Sequence, residues 1–152
     1  YFAYTEQDNS LIFLYMGVLA LIIQGSITRR APKNLKRATV FGIMAVSLSF
    51  ILLGIFPTIF LDFFALAVMA VGIGFVNAYL PSLLSVHSDP EKQGSIMGVY
   101  ESLGSLSRIL GPLIAYSTIY HSLKAGYLIF GLILCVIGLW FATFFRQRLG
   151  KA

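Results

Sequence analysis

Charged residues are scarce in this sequence. Only 11% of its 152 residues are charged, whereas 58% are hydrophobic and the mean hydropathy is +0.85. A soluble domain carries roughly 25% charged residues, so this chain lacks the polar surface that water requires. The composition excludes an ordinary soluble domain and is typical of a membrane protein.

The sequence also lacks the side-chain sets on which most catalytic and metal sites depend. Its single cysteine, Cys135, can form no intrachain disulfide, and His87 and His121 are far apart along the chain. No Ser/His/Asp set, metal-ligand spacing or phosphate-binding loop is present. We therefore expect no enzyme activity, no metal and no cofactor.

Five apolar stretches are long enough to cross a bilayer, which takes about 20 helical residues. Barrel strands are about 10 residues long and alternate between apolar and polar side chains, which these stretches do not. The sequence therefore predicts an all-α, polytopic transmembrane helix bundle that forms a single domain over residues 1–152. The predicted spans are 11–27, 38–56, 60–85, 95–120 and 125–145.

Basic residues are distributed unevenly between the two ends of these spans. If the spans alternate in direction, nine basic residues share one side, Lys124 lies on the other, and Arg108 remains inside a span. The positive-inside rule places the nine, and the C-terminus, in the cytoplasm of a multi-pass cell-membrane protein. The net charge of +5 then requires no nucleic acid as a partner. The nine residues are Arg29, Arg30, Lys33, Lys36, Arg37, Lys92, Arg146, Arg148 and Lys151.

The fourth span carries polar and small residues along one helical face. At 100° per residue, Glu101, Ser105 and Arg108 share this face. A charge near the bilayer centre costs at least about 2.5–3.5 kcal/mol. Two interpretations remain open: a pathway for substrate or protons, and an ion pair that holds helices together. Gly111 and Pro112 predict a bending point farther along this span.

The third span is interrupted by small residues, a proline and Asn77. Gly72, Gly74 and Pro81 loosen a helix and free backbone carbonyls, which neighbours or water must then satisfy. One interpretation is a helix that bends as a gate, with Asn77 on the transport pathway. The other is close packing between helices through small residues.

Three stretches resemble the C-terminal half of major facilitator superfamily transporters. Residues 25–33 resemble the cytoplasmic loop motif between helices eight and nine of that family. Gly25, Arg30 and Lys33 match this motif, whereas Arg29 stands where the family has an acid. The resemblance implies that the loop has a cytoplasmic position.

The other two stretches follow in the family's order. Residues 70–85 are similar to its glycine-rich tenth helix. Residues 89–113 resemble the loop and eleventh helix of proton-driven drug exporters such as tetracycline-resistance efflux proteins, above all at Gln93-Gly94 and Gly98. The resemblance implies that the five spans are helices eight to twelve of twelve, with eight, ten and eleven bordering a central cavity. Since the chain begins with Tyr1 rather than Met, we expect it to be part of a longer protein.

The polar faces are compatible with a pathway for substrate or protons, and the resemblance implies secondary active transport of a small solute by alternating access. The resemblance implies proton-coupled efflux of a drug-like compound. The expected partners are the lipid bilayer, an N-terminal half of the same transporter, a small-molecule substrate and protons. Two alternatives remain open: uptake of a nutrient or metabolite by the same fold, and a membrane scaffold or sensor that transports nothing.

The predicted topology can be tested by labelling cysteines placed at Asn34 and Ser122, in a background with Cys135 replaced by Ser. We expect Ser122→Cys to react with a membrane-impermeant thiol reagent in intact cells, and Asn34→Cys only in opened membranes, because the basic loop is cytoplasmic. Labelling of Asn34→Cys in intact cells would contradict this orientation.

Overall fold

The structure is a computed structural model, which describes residues 6–28, 34–55 and 58–149. Over these ranges the chain is helical apart from short turns, and each predicted span lies within one helix, with Phe56 outside the described residues. The predicted all-α bundle is confirmed. The helices are α1 (Glu6–Thr28), α2 (Leu35–Ile55), α3 (Ile59–Val86), α4 (Gln93–His121) and α5 (Leu123–Leu149).

The helices differ in how well they suit a bilayer. Within the described ranges, Leu35–Ile55, Ile59–Val86 and Leu123–Phe144 are long and apolar enough to cross a membrane. The apolar part of α1 is shorter and runs from Ser10 to Ser26. α4 has 29 residues but is less apolar than those three, because its polar face lowers its hydropathy. Bilayer crossing by α1 and α4 therefore stays a prediction.

The packing of the bundle is organised around α2. Among the described residues, this helix packs against both α3 and α5, whereas α1 packs on α3, and α4 makes only sparse contact with α3 and α5. The buried residues of α2 and α3 are mostly small: alanines, glycines, serines and Thr39. Small side chains let helix backbones approach closely, which in a bilayer replaces the hydrophobic driving force between helices.

The closest approach of α2 to α3 is made by two glycines. A methyl group added to Gly42 would lie 2.9 Å from the carbonyl oxygen of Gly72, and one added to Gly72 would lie 2.8 Å from that of Gly42. Any side chain at either position would push the two backbones apart. Gly72 therefore packs closely against α2 in the structure, while its role in bending α3 stays a prediction.

The contact between α2 and α5 also depends on glycines, spaced along both helices. A methyl group on Gly54 would lie 2.8 Å from Leu128 Cγ, and one on Gly131 would lie 2.7 Å from Ile51 Cγ1. Farther along α5, a methyl group on Gly138 would lie 3.0 Å from the sulfur of Met44. The close contact therefore extends over most of α2.

Two buried serines of α2 bond to the neighbouring backbones. The Ser47 hydroxyl donates a hydrogen bond to the carbonyl oxygen of Gly131 on α5, at 2.8 Å. The Ser49 hydroxyl donates to the carbonyl oxygen of Ala65 on α3, also at 2.8 Å. Both serines are almost completely buried, and interhelical bonds of this kind contribute roughly 0.6–2 kcal/mol each. They connect the same three helices that the glycines bring together.

Replacing Gly72 with Ala should destabilise the protein by about 1–3 kcal/mol, the usual cost of overpacking a tight contact. The added methyl group would meet the backbone of Gly42 and the amide nitrogen of Val46, which cannot rotate away. Thermal unfolding of the full-length protein in detergent measures this effect. Gly17→Ala is the control, because that methyl group meets no described atom within 4 Å. Equal melting temperatures for the two variants would contradict the packing role.

Candidate transport pathway

The polar face of α4 is exposed in the structure. Glu101, Ser105 and Arg108 are all exposed, and the two charged residues are separated by about 10 Å along the helix axis. Within the described part of the chain, neither charged side chain has an ion pair or a hydrogen bond to another side chain. Glu101 and Arg108 therefore do not pair with each other, and the ion pair between helices that the sequence leaves open stays a prediction.

The opposite face of α4 is exposed as well. Leu103, Leu106 and Leu110 have 59%, 50% and 43% of their surface exposed. No residue of α4 whose burial is described is buried. The described helices therefore cover neither face. Neither interpretation of the polar face, as a pathway or as a site of ion pairing between helices, is tested by the described residues, because no described helix packs along it.

Most small polar groups of α4 are satisfied by their own helix. The hydroxyl of Ser102 donates to the carbonyl oxygen of Gly98 at 2.7 Å, and that of Ser107 donates to the carbonyl oxygen of Leu103 at 2.8 Å. Such back-bonding allows a hydroxyl to enter an apolar environment. Glu101 and Arg108 have no comparable partner within their helix, so their charges need water or another polar group.

Asn77 is exposed on α3, one turn after the partly exposed Ile73. Measured along the helices from the turn that joins α3 and α4, Asn77 lies about 13 Å from Val86, and Glu101 lies about 12 Å from Gln93. The Asn77 amide and the Glu101 carboxylate thus lie at similar distances from this turn, on consecutive helices. The structure places both on uncovered surfaces but does not bring them into contact.

The prolines of both helices lie inside continuous α-helix. α3 runs without interruption through Pro81, and α4 through Pro112. Gly74, like Gly72, is buried, whereas Gly111 is exposed and meets no described atom within 4 Å. A gate role for these positions stays a prediction.

Each proline nevertheless removes one helical hydrogen bond at a candidate pathway residue. Proline has no backbone N–H, so the carbonyl oxygen four residues earlier lacks its usual donor. That carbonyl belongs to Asn77 in the case of Pro81, and to Arg108 in the case of Pro112. Both positions therefore combine a polar side chain with a backbone acceptor that water or a neighbouring group must satisfy.

The predicted loop motif lies largely outside the described residues. Gly25 is exposed near the end of α1, and Arg29, Arg30 and Lys33 fall in the undescribed segment. Beyond that segment, the side-chain oxygen of Asn34 accepts a hydrogen bond from the backbone N–H of Arg37 at 3.2 Å and so caps α2. The geometry of the motif itself is therefore not tested.

Comparison with known proteins agrees with the helical architecture. Residues 2–112, which include the polar face of α4, match the family model of the Major Facilitator Superfamily. The chain belongs to this superfamily. Members of this superfamily are membrane transporters, so the chain is part of a membrane protein. No solved structure matches the chain significantly.

Curated relatives within the superfamily are much longer than this chain. It is similar to the Major facilitator superfamily domain-containing protein 10 of Mus musculus, with 32% identity over 76% of this chain and 26% of the relative. The proteins of that name from Homo sapiens and Bos taurus are 26% identical, with the same coverage. The chain spans about a quarter of their length. These matches do not distinguish drug export or proton coupling from other superfamily activities.

Replacing Pro81 with Ala should change the rate of transport in the full-length protein more than its apparent affinity for substrate. Alanine supplies the missing donor to the Asn77 carbonyl and stiffens α3. Initial-rate measurements over a range of substrate concentrations separate the two effects, and Val86→Ala, at an exposed position of the same helix, is a control that leaves the backbone bonding intact. An unchanged maximal rate would contradict a gate at this position.

Proposed function

We propose that this chain forms part of the substrate pathway of a secondary active transporter that works by alternating access. The proposed activity is proton-coupled efflux of a small, drug-like compound across the cell membrane. The observation that supports it most strongly is α4, a superfamily helix with two ionisable residues on one exposed face and no partner for either charge among the described residues.

The energetic argument concerns what can cover this face. Each charged side chain costs at least about 2.5–3.5 kcal/mol at the centre of a bilayer unless water or a polar partner surrounds it. The leucine-rich face of α4 suits lipid, whereas the face with Glu101 and Arg108 does not. We infer that the polar face lines a central cavity, closed by an N-terminal half of the same transporter. Transporters of this kind bind substrate near the midplane, between their two repeats.

The three polar side chains have different proposed roles. Arg108 is the binding site for an anionic group of the substrate, or for an acid on another helix, because a guanidinium can hold a carboxylate through two parallel hydrogen bonds. Glu101 carries a proton or a cation, as acidic residues do in many pumps and transporters. Asn77, at a similar height on α3, offers an amide donor and acceptor to the substrate.

Arg108→Ala should abolish transport by the full-length protein while leaving membrane insertion largely intact. Arg108→Lys should restore little if the guanidinium binds in a bidentate manner, because an ammonium group cannot reproduce the two bonds. Uptake and efflux of candidate substrates in proteoliposomes measure the activity and its direction. Ser107→Ala is the matched control, since that hydroxyl bonds only to its own helix at Leu103. Normal transport by Arg108→Ala would contradict the assigned role.

Glu101→Gln should weaken the pH dependence of transport, because glutamine cannot exchange a proton. The measurement compares initial rates across a series of imposed pH gradients in the same proteoliposomes. If Glu101 and Arg108 serve only to hold helices together, each variant should lose stability instead, and should transport normally once stabilised. A pH profile identical to that of the unaltered protein would argue against a proton site.

A further inference from the structure

The turn between α3 and α4 contains a hydrogen bond between the two helices. Gln93, the first residue of α4, donates from its Nε2 to the hydroxyl oxygen of Ser85 in the last turn of α3. Both residues are half-buried. The Gln93-Gly94 pair, the most specific part of the resemblance to drug exporters, thus has a partner on α3 that the sequence alone does not reveal.

Other polar groups at this turn bond locally. The Ser88 hydroxyl donates to the carbonyl oxygen of Leu84 at 2.5 Å, and Nδ1 of His87 lies 3.0 Å from the carbonyl oxygen of Leu83. The backbone N–H of Lys92 donates to the carbonyl oxygen of Asp89 at 2.9 Å. These bonds shape the end of α3 and the turn itself, whereas the bond between Gln93 and Ser85 joins α3 to α4.

This bond matters because little else in the described chain restrains the first half of α4. Gly94 and Gly98 meet no described atom within 4 Å, and the contacts of α4 with α3 are sparse. Glu101 follows Gln93 by about 12 Å along the helix. The placement of the first turn of α4 against α3 therefore determines where its polar face begins.

We propose that Gln93 is a positioning residue, which holds the first turn of α4 against α3 through Ser85 and thereby sets the location of the face that carries Glu101 and Arg108. This inference rests on the proposed function, because the location of that face affects activity only if α4 lines a pathway. Gln93 itself touches neither substrate nor the transported ion. It acts on transport through the geometry of the two helices.

A distance measurement tests the geometry without depending on activity. Spin labels are attached to Ile73→Cys on α3 and Leu106→Cys on α4, two exposed positions at similar heights, in the full-length protein without other cysteines. We expect a broader and shifted distance distribution in Gln93→Ala and Ser85→Ala, and no further change when the two are combined. Ser88→Ala, at the same turn, should leave the distribution unchanged, and Ser85→Thr should preserve it. An unaltered distribution in Gln93→Ala, or an equal change in Ser88→Ala, would overturn the proposal.

Transport by the same variants tests the consequence. Gln93→Ala should lower the turnover severalfold with little change in the apparent KM, and Ser85→Thr should retain activity. If the distances change as expected but turnover in Gln93→Ala is normal, Gln93 is not a positioning residue for transport and the proposal fails. If the unaltered protein moves no substrate while the distances respond as expected, the proposed function is wrong and the bond between the helices stands.

Discussion

Close contact between helix backbones, made possible by glycine, is the interaction on which the arrangement of this chain depends. α2 approaches α3 at Gly42 and Gly72, and it approaches α5 at Gly54 and Gly131, where an added methyl group would lie within 3 Å of a neighbouring atom. Helices in a bilayer gain nothing from hiding apolar surface, so packing and interhelical hydrogen bonds hold them together. The hydroxyls of Ser47 and Ser49 add such bonds at the same two contacts.

The same principle explains why α4 is different. A methyl group added to its glycines at 94, 98, 104 or 111 would meet no described atom of another helix within 4 Å, and none of its residues with described burial is buried. α2, α3 and α5 pack together without α4, so the packing of these three helices does not depend on the residues of α4. Its two charged residues and its lower hydropathy fit a helix that borders water and substrate rather than one that only fills the bundle. The closely packed glycines and the two charged residues of the proposed pathway thus lie on different helices.

The sequence predicts the helices well because their length and apolarity are local properties. It did not predict the close contact of Gly72 with Gly42, because the two glycines lie far apart in the sequence. It did not identify Ser47, because its hydrogen-bond partner, the carbonyl oxygen of Gly131, lies on a helix far along the chain. The sequence feature that could have indicated these interhelical bonds is the pair of serines, Ser47 and Ser49, inside an otherwise apolar span. What surrounds Arg108 could not be predicted from this chain, because none of its described helices covers that face.

The central claim is that one face of α4 borders an aqueous cavity while the other meets lipid. Cysteine substitutions at successive positions from Gly94 to Thr118 in the full-length protein, each treated with a small water-soluble thiol reagent, measure this directly. The account predicts reactivity that repeats about every 3.6 residues, highest on the face of Glu101, Ser105 and Arg108, and reduced there by bound substrate. Reactivity that is uniform around the helix, or highest on the face of Leu103 and Leu106, would contradict it.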